Sequence, residues 1–277
     1  MALSKDNLRI FIKHLIRRIK NSDVPGMAAQ MAYFFILSLF PLLIFMVTLL
    51  PYLPFDQMDI LSMVEDYAPA QALEIVETTL NEVMAEGNGG LLSFGIIGTI
   101  WSASNGINAI IKGLNHAYDV EETRSFVKAR GLSVLLTFAL ILVVIVALVL
   151  QVFGKHIGDW ASANLGVPDQ LLTIWNWVRW LISPLILFTV FASLYFFAPN
   201  LKIEWPTVMP GALFSTIGWI IVSIGFSFYV GNFGNYSATY GSIGGIIILM
   251  IWIYLSAMIL LIGGEINALR DDMKGKI

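Results

Sequence analysis

Trp101, Asn105, Asn108, Lys112 and Asn115 recur at alternating steps of four and three within LLSFGIIGTIWSASNGINAIIKGLNHAY, residues 91–118. That spacing stacks them along one side of a helix. The surrounding stretch is apolar enough to enter a bilayer, where polar side chains are expensive unless they meet partners or line a wet path. Trp101 and Asn105 fall deepest and are candidates to line a cavity, with Asn108 next and Lys112 near the end of the segment. Gln30, in the first apolar stretch, and Glu265, in the last, fall at the depth of Lys112. A lysine and a glutamate facing the same interior would pair, because an unpaired charge there is costly. The sequence therefore predicts an ion pair between Lys112 and Glu265, with Asn108 and Gln30 beside it, serving as a gate or a proton-responsive pair. The competing reading has the same groups only holding helices together or snorkelling to the interface.

Enzymatic chemistry has little to start from. His14, His116 and His156 are the three histidines, widely spaced, and there is no cysteine, so neither a zinc triad nor a nucleophile–histidine site suggests itself. Gly241-Ser242-Ile243-Gly244-Gly245 looks like a phosphate loop but lacks its lysine and the preceding strand. The acidic residues between Asp56 and Glu86 do not follow the alternating ligand spacing of a calcium loop. The expectation is a protein that is not an enzyme, with no metal, no cofactor and no nucleic-acid partner.

The elements that must position these residues are membrane helices. The 277-residue chain is 57% hydrophobic and 13% charged, with a mean hydropathy of +0.78, against about 25% charged for an average soluble domain. We expect an all-α polytopic membrane protein forming one membrane domain over residues 1–277. Its six transmembrane helices are expected at about 27–50, 91–114, 132–153, 177–198, 207–230 and 242–266, long enough for the ~30 Å hydrocarbon layer. Residues 1–26 form an amphipathic cytoplasmic N-terminus, in which Leu8, Phe11, Ile12, Leu15, Ile16 and Ile19 alternate with Lys5, Arg9, Lys13, Arg17, Arg18 and Lys20. This fits a helix on an anionic membrane face and is read first as a topology anchor; no signal peptide is apparent. Residues 52–90 read as an acidic, extracytoplasmic helical cap.

Packing and hinge positions follow from small residues and prolines. Pro41 and Pro184 interrupt the first and fourth spans, Gly211, Gly218 and Gly225 recur every seven residues in the fifth, and Gly244 and Gly245 open the sixth. With both termini inside, fourteen of the 16 lysines and arginines fall on the cytoplasmic side, leaving Lys155 and Arg179 outside. The glycine seams could join helices within one chain or between two, so a homo-oligomer stands among the expected partners, alongside membrane lipids.

Three stretches carry a family resemblance: AAQMAYFFILSLFPLLIF from Ala28, IWSASNGINAIIKGLNHAYDV from Ile100, and YGSIGGIIILMIWIYLSAMILLIGGEINA from Tyr240. Together they resemble the YihY/BrkB family of bacterial membrane proteins over nearly the whole chain. The resemblance implies a six-helix protein of the bacterial cytoplasmic membrane. Members have also been labelled ribonuclease BN, a label the residues here do not support, since a metal-dependent nuclease needs a dense histidine and aspartate cluster. The functional expectation is a transporter or translocator of a solute or an amphipathic, lipid-linked molecule, with Trp101, Asn105 and Asn108 lining its path. The alternative is a non-transporting scaffold or envelope-assembly protein.

Overall fold

The structure, a computed structural model, describes residues 5–49, 89–143, 146, 168–233, 244–273 and 275. Every regular element among them is helical. We number these α1 (Lys5–Asn21), α2 (Val24–Leu49), α3 (Gly89–Ala117), α4 (Phe126–Val143), α5 (Asp169–Phe197), α6 (Trp205–Phe233) and α7 (Gly244–Asp272). Five stretches are long and apolar enough to cross a bilayer: Val24–Leu42, Leu92–Ala117, Phe126–Val143, Trp205–Asn232 and Gly244–Asp272. The expected fourth span falls in α5, whose described apolar stretch is Leu181–Phe197. The expected acidic cap lies outside the described residues through Gly87 and Asn88, as do Lys155, His156 and the Tyr236–Gly241 turn.

Helices outrun the apolar windows that predict them. The last span was expected to end at Ile266, yet α7 continues to Asp272, because charged residues end a hydrophobic window without ending a hydrogen-bonded ladder. Arg270 in its last turn also complements the helix dipole. Pro41, Pro184 and Pro210 all lie inside helices, as bundles tolerate where neighbouring groups satisfy the freed carbonyls.

Two tight turns set where helices stop. At Asp23 the backbone takes a left-handed φ of 44°, a conformation that aspartate enters more readily than most residues. Its carboxylate accepts the Gly26 N–H at 3.3 Å, an N-cap for α2, and a side chain at Gly26 would collide with that carboxylate. At the end of α3, Val120 N–H donates to Asn115 O and Asp119 N–H to His116 O. This is a Schellman closure in which Asp119, at φ 55°, occupies the place glycine usually takes.

The chain divides into two compact units, Met1–Tyr33 with Gly106–Ile277, and Phe34–Asn105. In the smaller unit, α3 meets α2 backbone to backbone: a Cβ at Gly95 would stand 2.7 Å from Phe45 Cα, and one at Gly98 3.0 Å from the Pro41 ring. In the larger unit, α6 packs against α5 and α7, and α1 packs against α7. The α6–α7 seam is closest at Gly211, where a Cβ would overlap Gly263 O and the Asn267 amide, and it is tight at Gly218, 3.3 Å from Ile259. It opens at Gly225, and Gly245 likewise faces open space; Gly244 is buried.

Neutral hydrogen bonds lock this seam. The Tyr195 hydroxyl donates to Leu260 O at 2.7 Å and lies 2.6 Å from Ser215 Oγ, which is itself 3.1 Å from Ile259 O. Asn267 accepts the Gly211 N–H and donates to Val208 O, tying the α7 side chain to the α6 backbone from both sides of its amide. Trp219 donates to Ser256 and Trp252 to Ser223.

Candidate functional site

One cluster of charged groups in the larger unit lies where α1, α3 and α7 end. On α1, Phe11, Leu15, Arg18 and Ser22 share one face by their spacing, and that face is the less exposed one. It delivers the Arg18 guanidinium to three acceptors. Nε donates to Glu265 Oε2 at 3.0 Å, Nη1 to Asp272 Oδ2, and Nη2 to Ala117 O at 2.6 Å. Glu265 and Asp272 stand seven residues apart on α7, so both reach the same side of that helix. The Ala117 carbonyl is one of the four that the end of α3 leaves without an intrahelical donor.

The electrostatics are asymmetric. The Glu265 side chain is 1% exposed, Arg18 24% and Asp272 41%, so one buried carboxylate is held by a cation that still reaches water. Burial works against the Arg18 charge, but the hydrogen bonds and charges of Glu265 and Asp272 outweigh it and hold its pKa above the ordinary value. Tyr118, 1% exposed, packs on Ala117 and Ala268. Burial raises its phenol pKa, the Asp271 charge adds to that, and Arg18 offsets part of it. Glu265 Oε1 and the Tyr118 hydroxyl are buried without a hydrogen-bond partner among the described residues. Two uncommitted oxygens beside a cation can each accept a further proton donor, a water or a substrate group.

A second polar cluster joins the 118–125 loop to the α5–α6 turn. Asn115 accepts the Asn200 N–H at 2.7 Å and donates to Glu122 at 3.0 Å. Asn200 in turn donates to Glu121 O and Thr123 Oγ1. Arg124 donates to both Glu122 oxygens and to Ala198 O. The Arg124 hydrogen bond is the main reason the Glu122 carboxyl lies below the usual range, with burial acting against it.

These contacts replace the predicted Lys112–Glu265 pair. Glu265 is bonded to Arg18, while Lys112 is exposed and forms no ion pair with a described residue. The physical reason is valence: a planar guanidinium reaches two carboxylates and a carbonyl together, which a lysine point charge does less well. Among the other predicted residues, Gln30 is exposed and Asn108 half-buried, both in the larger unit with Glu265. Trp101, 59% exposed, and half-buried Asn105 belong to the smaller unit. The small residues Ser102, Ser104, Gly106 and Ala109 of α3 are buried. Arg18 sits in a run of basic residues, which hides it from a reading by charge alone. The signal available was its place on the Phe11–Leu15–Ser22 face, where a lone cation implies a buried anion.

Apolar helices of membrane-crossing length, locked by neutral hydrogen bonds and carrying a buried carboxylate at one end, define a polytopic α-helical membrane protein. The chain belongs to the BrkB family: the family description "Virulence factor BrkB" matches residues 15–276. It is 56% identical over 264 residues to the ribonuclease-like protein YfkH of Bacillus subtilis, covering 95% of this chain and 96% of that one. It is 30% identical over 269 residues to a UPF0761 membrane protein of Photobacterium profundum, covering 95% and 82%. A UPF0761 membrane protein of Vibrio parahaemolyticus is 31% identical over 279 residues, covering 95% and 83%. No solved structure matches.

Proposed function

We propose that this membrane protein is a six-span translocator of the bacterial cytoplasmic membrane, with both termini cytoplasmic, moving a solute or an amphipathic, lipid-linked molecule. The observation that carries this reading is Glu265: a carboxylate 1% exposed on an apolar helix, held by one cation, with Oε1 uncommitted. Ionisable groups at membrane helices are expensive and tend to mark pathways and relays. Arg18 and Glu265 form the cytoplasmic gate. Trp101, Asn105 and Asn108 on α3 line the path, with Lys112 and Gln30 as exposed polar groups near its inner end. The histidine-poor, cysteine-free composition supports a role without enzymatic chemistry, and the name of the Bacillus relative is not carried over.

The scaffold reading has its own support in the neutral locks at Tyr195, Ser215 and Asn267, which only join helices. Purified protein in liposomes separates the two. Translocation accelerates movement of fluorescent lipids or solutes, and Glu265→Gln and Asn105→Leu each reduce it while leaving insertion intact. A protein that leaves those rates at the empty-liposome level across lipid classes and solutes is a scaffold.

A further inference from the structure

We infer that α1 is a docking surface for anionic lipid headgroups, and that Arg18 ties this surface to Glu265. The helix has two working faces. Phe11, Leu15, Arg18 and Ile19 are partly covered and Ser22 is buried, which marks the side turned to the protein. About a quarter-turn further round lie Ile12 and Ile16, 46% and 62% exposed, and beyond them on the wheel the exposed Arg9, Lys13 and Lys20. Ile10 stands apart from this stripe, beside the exposed Arg17 and His14.

Position selects the occupant. The helix ends at Asn21, and the first span opens at Val24 after the capped turn at Asp23. Arg18, one turn from that end, is bonded to Asp272, the last residue of another span. The C-terminal end of α1 therefore sits at the level where spans leave the hydrocarbon, and the Ile12–Ile16 stripe lies within about three turns of that end. An apolar stripe beside a row of cations at that depth matches an anionic bilayer surface: the isoleucines enter the acyl boundary and the cations meet phosphates. A zwitterionic surface offers the first interaction without the second.

Arg18 turns this placement into a coupling. It leaves α1 on the side opposite the cationic row and ends on Glu265 and Ala117. A shift of α1 into or away from the headgroups moves the cation that neutralises Glu265. This inference does not rest on the transport reading, because its readout is the position of α1.

The absence of cysteine makes the test clean. The full chain carrying Ile16→Cys, labelled with an environment-sensitive fluorophore, is placed in nanodiscs of phosphatidylcholine alone or mixed with phosphatidylglycerol. The emission is expected to shift to the blue as the anionic fraction rises, and nitroxide-bearing lipids should quench it. The triple variant Arg9→Gln, Lys13→Gln, Lys20→Gln, which leaves the Arg18 clamp untouched, should lose the dependence on anionic lipid. Three outcomes overturn the proposal: emission indifferent to lipid charge, a dependence retained by the triple variant, or a shielded probe that nitroxide lipids do not quench. The last would place protein, such as a second copy of the chain, over the stripe.

Discussion

Removing the cation from Glu265 should cost far more than removing the outer carboxylate from Arg18. In Arg18→Met, a carboxylate that is 1% exposed loses its charge partner, and uncompensated buried charges typically destabilise by about 3–5 kcal/mol. The Ala117 carbonyl also loses a donor, roughly 1 kcal/mol more. In Asp272→Asn the affected group is 41% exposed, so water replaces the lost interaction and the effect is about 1 kcal/mol or less. Glu265→Gln keeps an acceptor for Arg18 and removes the charge that needs it. Added to Arg18→Met, it should recover at least about 2 kcal/mol, giving a strongly non-additive cycle. Reversible unfolding in bicelles, followed by tryptophan fluorescence, measures the unsubstituted protein and the four variants. Additivity within about 0.5 kcal/mol, or an Asp272→Asn loss as large as that of Arg18→Met, would refute the buried-charge account.

Three further outcomes follow from local geometry. Gly211→Ala drives a methyl into Gly263 O and Asn267 and should destabilise by about 1–3 kcal/mol. Gly225→Ala, in open space, should be neutral or gain up to about 1 kcal/mol from helix propensity; thermal unfolding of the pair checks this. Asp119→Gly relieves a left-handed backbone at φ 55° and should stabilise by several tenths to about 1 kcal/mol. Asp23→Gly relieves a similar backbone but loses the cap on Gly26, so its gain should be smaller or absent in the same unfolding assay. Finally, the lowered pKa of Glu122 means that its stabilisation is fully present above the ordinary carboxylate range and disappears as pH falls through the folded value. A spin label at Glu121→Cys should become mobile on acidification in that window, and Glu122→Gln should abolish the pH dependence.

Hydropathy made the membrane spans legible because a ~30 Å apolar layer imposes a length that sequence windows measure directly. The glycine seam was legible at Gly211 and Gly218, but Gly225 bears the same spacing and packs on nothing within reach of a Cβ. Spacing finds a face, and only the partner helix decides how far along it contact extends. The Lys112–Glu265 pairing fails for a related reason. Lys112 and Glu265 were matched by depth, a one-dimensional coordinate, while rotation about α3 turns Lys112 away from the buried Ile111 and Leu114. Arg18 was counted as one of many topology charges, although its angular position set it apart. Asn115, by contrast, was in the polar stripe and is buried, but its partners are Asn200 and Glu122 in connecting turns, which no helical periodicity could anticipate.

The distribution of polar groups bears on the choice between translocator and scaffold. Along the α5–α6–α7 seam the side-chain locks among the described residues are neutral: Tyr195 with Ser215, Asn267 with Gly211, Trp219 with Ser256, Trp252 with Ser223. Such groups join helices without the desolvation penalty of an ion, and they suffice for packing. A buried ion pair adds little net stability over an apolar replacement of similar volume, so Glu265 is poorly explained as one more lock. What it supplies, and the neutral groups do not, is a charge whose compensation depends on the position of a separate helix. A change in α1 alters the energy of Glu265 and leaves the Tyr195 and Asn267 locks intact, so the charged end of the bundle can respond while the seam stays closed. Arg18→Lys isolates this property, since it preserves net charge but not the simultaneous reach to Glu265, Asp272 and Ala117. If translocation in liposomes falls in Arg18→Lys while thermal stability changes little, the clamp is a moving part. Equal losses in both would make it a structural tie.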